Sequence, residues 1–327
     1  MSPLSPRKAA HPASAPQQER RAAPRPNTRR AATPNAPVNR PAPGPLSGVR
    51  GLLLDLDGVL ILQGAAIPGA PEAIADLERK GVPYRVVTNT SLVSRNSLST
   101  WCTRVGLRIP PGRIMSALSA SAAYTARAYP DRPIFVIASD DARAEFAGQH
   151  LLTAAEADAK RAEAAAVVIG DSPEEATYPN LNRAFRLIRG GAQLIGMHKN
   201  RWWLTPAGPT LDSGAFVAGL EFAASVNALV LGKPSPAFFR EAAAALRAEI
   251  GASGKPVRSS GRADLAMVGD DLWTDVLAAQ RLGLRGVFVL SGKHGEEDLA
   301  RASQAGRGGG VPDLVAASMT EVVAALD

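Results

Sequence analysis

Cysteine occurs once, at Cys102, so no disulfide can form within the chain. A lone thiol suits a reducing compartment and a fold held by its core rather than by cross-links. With no reactive partner beside it in sequence, Cys102 reads as an ordinary packed residue. Aromatic residues make up only 5% of the chain, and residues 1–50 contain none. No apolar run approaches the roughly 18 residues that span a bilayer. The start of the chain also lacks the apolar core of a secretory signal. These absences set the expectation of a cytoplasmic protein with no membrane partner.

Acidic residues are nearly missing from residues 1–50, where Glu19 stands alone against nine Lys and Arg. The rest of the chain holds 28 basic against 29 acidic residues, so the net charge of +7 belongs to the N-terminal segment. A near-neutral body has no electrostatic footprint for nucleic acid. Proline recurs from Pro3 to Pro45 among Ala and Arg. Each proline removes a backbone donor, and little apolar surface is there to offset ordering entropy. Residues 1–48 are therefore expected to be disordered. An organelle-targeting peptide, a tail for nucleic acid or anionic surfaces, and a misassigned start codon are the other readings of this segment.

What the chain does have, from Val49 onward, is apolar runs alternating with helical patterns. Gly51–Asp55 and Tyr84–Thr88 read as buried parallel strands. Pro68–Lys80 and Asn96–Val105 read as helices, and Ile114–Ala128 reads as a short strand continuing into a helix. This rhythm predicts an α/β fold with a parallel sheet and helices on both faces. A second rhythm follows, with strands at Pro133–Ala138, Ala165–Ile169, Gln193–Met197 and Trp202–Thr205 and a helix at Asn180–Arg189. The first then resumes through a helix at Ala215–Ser225 and a strand at Ala228–Leu231. Next come Pro236–Arg247 (helix), Leu265–Val268 (strand), Leu272–Leu282 (helix) and Gly286–Leu290 (strand). The expected division is core 49–118, inserted domain 119–216 and core 217–327, with Gly251–Arg262 a solvated loop.

Four short motifs sit where strands end: Asp55-Leu56-Asp57-Gly58, Thr88-Asn89, Gly232-Lys233-Pro234 and Gly269-Asp270-Asp271. In a parallel sheet, ligands bind beyond the carboxyl ends of the strands. A carboxylate at Asp55 can attack phosphorus and split one hard displacement into two. Asp57, two residues on, can donate a proton to a leaving oxygen and later activate water. Thr88 and Asn89 offer hydrogen-bond donors to phosphoryl oxygens. Lys233, stiffened by Pro234, offers a fixed cation that offsets repulsion between a carboxylate and a dianion. Asp270 and Asp271, with Asp275 one turn later, suit Mg²⁺, which takes oxygen ligands and few protein carboxylates. Each signal alone is weak, since acids after strands often solvate loops or cap helices. Their joint order is what points to phosphoryl chemistry.

These motifs, with Ile67-Pro68-Gly69-Ala70, Thr88-Asn89-Thr90-Ser91, Leu181-Asn182-Arg183-Ala184-Phe185, Gly232-Lys233-Pro234-Ser235-Pro236 and Thr274-Asp275-Val276, resemble the haloacid dehalogenase (HAD) superfamily of phosphatases. An insert between the second and third motifs resembles that family's type-2 cap. The resemblance covers about residues 49–327 and implies a Rossmann-like core with an inserted α+β cap. It implies Asp55 as nucleophile and metal ligand, and Asp57 as general acid/base that gives the metal its backbone carbonyl. Asp270 would be the third metal ligand, with Asp271 and Asp275 at or just behind it. Thr88, Asn89, Lys233 and the backbone N–H groups of Leu56 and Asp57 would hold the phosphoryl group.

Substrate choice would lie in the cap, where Asp171, Asn200 and Arg201 stand out, the last two within a basic and aromatic stretch His198–Trp203. Trp rings there also read as cap core, or as anchors of a homodimer formed through the cap. The expected activity is Mg²⁺-dependent removal of phosphate from a small metabolite (a phosphomonoester, pyrophosphate or phosphoamino acid) through an aspartyl-phosphate. A phosphotransferase using the same intermediate, and a non-catalytic binding protein acting through its basic tail, are the competing readings.

Overall fold

The computed structural model describes residues 44–205, 208–252, 264–304 and 310–326. Residues 1–43 of the expected tail and most of the expected Gly251–Arg262 loop lie outside them. Residues 44–48 do not follow the tail reading. They form a turn whose Leu46 is 1% exposed in the main core. Leu46, set among Pro, Gly and Ser, finds apolar partners in that core.

Six parallel strands form the larger sheet, in the spatial order Leu314–Ala316, Arg285–Val289, Leu265–Gly269, Gly51–Leu54, Tyr84–Thr88 and Ile114–Ser116. The Gly51–Leu54 strand lies in the interior of this order and is buried throughout. Its side chains alternate between faces. Leu52 and Leu54 join the cluster containing Ile74, Leu77 and Val322, whereas Leu53 joins the one containing Phe238, Phe239 and Leu246. The Ala70–Arg79 helix buries Ala70, Ala73, Ile74 and Leu77, the spacing of a single helical stripe. Cys102 is buried, and its thiol is pushed up to about 11, chiefly by that burial.

A second, four-stranded parallel sheet runs Leu229–Val230, Gln193–Gly196, Ala166–Ile169, Ile134–Ile137. It also has two apolar faces, with Ile134 and Val136 in one cluster and Phe135 and Ile137 in the other. A two-stranded hairpin, Trp202–Thr205 with Gly208–Leu211, extends from this smaller body. Here the sequence reading needs correction. The Ala228–Leu231 strand and the helix before it were expected to return to the larger sheet. Instead Leu229 and Val230 pair with Ile195 and Gly196, and Val217 and Leu220 of the Gly214–Ala224 helix pack on the smaller sheet. The chain therefore leaves the smaller body after Leu231 rather than at residue 216. A short apolar run states that a strand forms, but not which edge it joins.

The expected helix from Leu272 opens as a π-helical turn, Leu272–Val276, before becoming α-helical at Leu277–Arg281. The helix from Pro236 continues to Ala252, past its expected end. Among the described residues, no helix is long and apolar enough to cross a membrane.

Candidate active site at the carboxyl ends of the larger sheet

Asp55 follows directly on the buried Gly51–Leu54 strand, and its backbone N–H donates to Val268 O at 2.9 Å. That bond aligns it with the end of the neighbouring strand, from which Asp270 emerges. Asp55, Asp270 and Asp275 each present a carboxylate oxygen within 4.8 Å of the others, and all three are buried. Lys233 Nζ lies 2.7 Å from Asp55 Oδ1 and 2.8 Å from Asp275 Oδ1. Burial works against the Lys233 ammonium, but Asp275 and Asp55 outweigh it and hold its pKa above the ordinary lysine range.

Three carboxylates around one ammonium leave excess negative charge in a poorly solvated place. Burial pushes Asp270 up to about 7, and the Asp55 charge adds to the shift. Burial also raises Asp275, with the Lys233 ammonium opposing it. A second cation would relieve this repulsion, and hard carboxylate oxygens are the donor set that Mg²⁺ prefers. The residues present therefore fit such an ion.

Two glycines make room for Asp270. Gly58 turns the chain at φ 75°, and a Cβ at either Gly58 or Gly292 would overlap the Asp270 carboxylate. The N–H of Lys293 donates to Asp270 Oδ2 at 2.7 Å. Ser291 Oγ donates to Gly58 O at 2.7 Å, tying the two glycine turns together. Sequence reasoning did not single out Ser291, Gly292 or Lys293. Their one signal is a glycine shortly past a strand end, as Gly58 is past its own. Gly292→Ala is expected to weaken Mg²⁺ binding by about 10- to 100-fold, the usual cost of disturbing the groups that orient a ligand. Calorimetric titration with Mg²⁺ checks this, and unchanged affinity would show that Asp270 is not held for a metal.

Asp57 is exposed, at the mouth of the site. Loss of hydration from the surrounding protein pushes its carboxyl up to about 6, Asp55 adds to this and Lys233 opposes it. Thr88 is buried at the end of its strand, and its hydroxyl accepts from Thr90 N at 3.1 Å. The Leu56 N–H donates to Asp55 Oδ1 at 2.8 Å, so here it orients the carboxylate rather than facing open space.

Asn89 differs from its expected role. Its Oδ1 accepts from Lys233 N at 2.8 Å, and its Nδ2 donates to Lys233 O at 3.0 Å and to Asn200 Oδ1 at 3.4 Å. Both amide hydrogens are thus engaged, and the side chain clamps the lysine backbone instead of offering donors to a phosphoryl group. Gly232 permits this approach, since a Cβ there would lie 2.6 Å from Asn89 Oδ1.

Asp271 caps the following turn, its Oδ1 accepting from Trp273 N and Thr274 N at 3.1 and 3.0 Å. Its other oxygen pairs with Lys293 Nζ at 2.9 Å. Asp271 and Asp275 thus diverge, one towards the Lys293 loop and one towards Lys233. Of the smaller body's singled-out residues, Asp171 points into a buried cluster around His198, Asn200 meets Asn89, and Arg201 is exposed. Among the described residues, no contact brings the Arg201 side chain to the carboxylates.

Residues 52–151 match the family model described as haloacid dehalogenase-like hydrolase, and residues 230–322 match a HAD-hydrolase-like model. The chain is 35% identical over 252 residues to haloacid dehalogenase-like hydrolase domain-containing protein 2 of Mus musculus, covering 76% of this chain and 87% of that one. It is 35% identical over 256 residues to the phospholysine phosphohistidine inorganic pyrophosphate phosphatase of Rattus norvegicus, covering 76% and 85%. Among solved structures, the p-nitrophenyl phosphatase from Archaeoglobus fulgidus superposes with a TM-score of 0.72 at 27% identity, covering 85% of this chain and 99% of that one.

Proposed function

The chain belongs to the haloacid dehalogenase-like hydrolases and is a phosphatase of that type, and from this premise we propose that it removes phosphate from small phosphorylated metabolites with the help of Mg²⁺. The observation that carries the reading is the Lys233 ammonium, 2.7 Å from Asp55 and 2.8 Å from Asp275, inside a buried cluster of three carboxylates.

Asp55 is the nucleophile. Its free oxygen attacks phosphorus to form an acyl phosphate while the bond from phosphorus to the leaving oxygen breaks. Asp57 gives its proton to that oxygen, and a carboxyl raised to about 6 retains a usable acid form near neutral pH. Asp57 then takes a proton from water, which attacks phosphorus and releases inorganic phosphate and the Asp55 carboxylate. Lys233 stands over the phosphoryl oxygens as a fixed cation, with Thr88 beside it. Asp55, Asp270 and the Asp57 backbone carbonyl would hold Mg²⁺, whose chemistry there is neutralisation of phosphoryl charge.

The substrate class is read from the family. The rat relative's name spans phosphoamino acids and pyrophosphate, and the archaeal one names an aryl phosphate. A panel of phosphomonoesters, pyrophosphate and phosphoamino acids, assayed for released phosphate, tests that range. Metal removal tests the rest. Chelation is expected to silence hydrolysis of p-nitrophenyl phosphate, and added Mg²⁺ to restore it. Full turnover by metal-stripped protein would overturn the metal reading.

A further inference from the structure

A buried polar cluster that the chemistry above does not use joins His198, Asp171, Asp212 and Ser213 of the smaller body to Ser91, just past the Tyr84–Thr88 strand of the larger sheet. His198 is 1% exposed, and Ser91, Asp212 and Ser213 are equally hidden. His198 Nε2 lies 3.1 Å from Asp171 Oδ2, 3.6 Å from Asp212 Oδ1, 3.2 Å from Ser91 Oγ and 3.3 Å from Ser213 Oγ. Its other nitrogen, Nδ1, accepts from the backbone N–H of Asn200 at 3.4 Å. That assignment puts the ring proton on Nε2, facing the carboxylates. Burying such a ring among two acids and two hydroxyls is costly unless each polar atom is matched, and here both ring nitrogens have partners.

The cluster ends on Asn200. The Gly214–Ala224 helix starts directly against it, since a Cβ at Gly214 would overlap Asn200 O. Asn200 is thereby held from the His198 ring and from the helix start. Its side-chain oxygen then accepts from Asn89 Nδ2, and Asn89 grips both backbone polar groups of Lys233. A second tie runs beside this one. Gly232 N donates to Met197 O at 2.7 Å, so the residue before Lys233 is bonded to the residue before His198.

We propose that His198 and Asn200 are positioning residues for catalysis, fixing Lys233 over the reacting phosphoryl group by way of Asn89. This rests on the reading of Lys233 given above. Both act through Asn89. Asn200 supplies the acceptor that orients the Asn89 amide, and His198 holds Asn200 where it can do so. Asp171, Asp212, Ser91 and Ser213 hold the ring. Geometric errors of about an ångström at a reacting centre cost on the order of 100-fold in rate. The effect is therefore expected in kcat rather than in KM.

The test uses the full chain and p-nitrophenyl phosphate with Mg²⁺. Asn200→Ala is expected to lower kcat about 10- to 100-fold with KM within about twofold of wild type. His198→Ala is expected to do the same, and the double variant to be no worse than His198→Ala, because both cut one path. His198→Gln, whose amide supplies both a donor and an acceptor, is expected to regain at least half of the lost effect on a logarithmic scale. A second readout does not need turnover. The side-chain amide resonances of Asn89 are expected to shift in His198→Ala as they do in Asn200→Ala. Wild-type kcat in Asn200→Ala, multiplying effects in the double variant, or unmoved Asn89 resonances in His198→Ala would each overturn the positioning role. If Lys233→Met retains wild-type turnover while the Asn89 resonances shift as expected, the assignment of Lys233 fails and the hydrogen-bonded path stands.

Discussion

Asp55→Asn is expected to reduce turnover by at least about 10⁴-fold, as loss of a covalent nucleophile does elsewhere. The carboxamide has the shape of the carboxylate but cannot attack phosphorus. The fold should survive the change. Lys233 keeps its 2.8 Å ion pair with Asp275, so its ammonium is not stranded. The backbone bond from residue 55 to Val268 O does not involve the side chain. The melting temperature is therefore expected within a few degrees of wild type, with phosphate release nearly abolished. Acid-quenched wild-type enzyme given labelled substrate should carry label on Asp55, and the variant should carry none. Turnover within tenfold of wild type would exclude the covalent route.

Lys233→Met is the second large effect, and it acts on stability as well as on rate. The ammonium is 4% exposed and is the partner of two buried carboxylates. Removing one side of such a pair leaves uncompensated charge and costs about 3–5 kcal/mol. For a chain of this size that corresponds to a drop in melting temperature of roughly 10 °C. Losing a cation aimed at developing charge should lower kcat by a further 10²- to 10³-fold, roughly the effect of removing one preorganised donor. Saturating Mg²⁺ should recover part of the lost stability, because the stranded carboxylates then gain a cation. A variant with unchanged melting and turnover would remove Lys233 from the site.

Much of this arrangement was legible in the residues. Leu52, Leu53 and Leu54 form a run long enough for a strand and apolar on both faces, as a strand of a covered parallel sheet is. The strand-end positions of Asp55, Thr88 and Asp270 follow from where such runs stop. Other features depend on pairings that sequence does not carry. The strand Leu229–Val230 has two residues, and its partner is set by tertiary contact with Gly196 rather than by any pattern of its own. Asp275 and Asp271 share a helical spacing, but the π-helical turn and the capping role of Asp271 send them to different partners. Asn89 offered two donors that looked available, and only the fold shows that Lys233 and Asn200 take them. Gly292 and the Lys293 N–H carried no sign beyond a glycine after a strand, because a backbone donor has no side-chain signature.

The attachment of Leu229 and Val230 to the smaller sheet has a practical meaning for anyone exchanging modules among related phosphatases. The carboxylates travel with one module, but the lysine that faces them is threaded from an edge of the other. A graft cut at residue 216 would sever that edge from its sheet and strand the lysine on a loose linker. A graft cut beyond Leu231 would carry the edge intact and leave Lys233 at the splice, where its alignment can be retained.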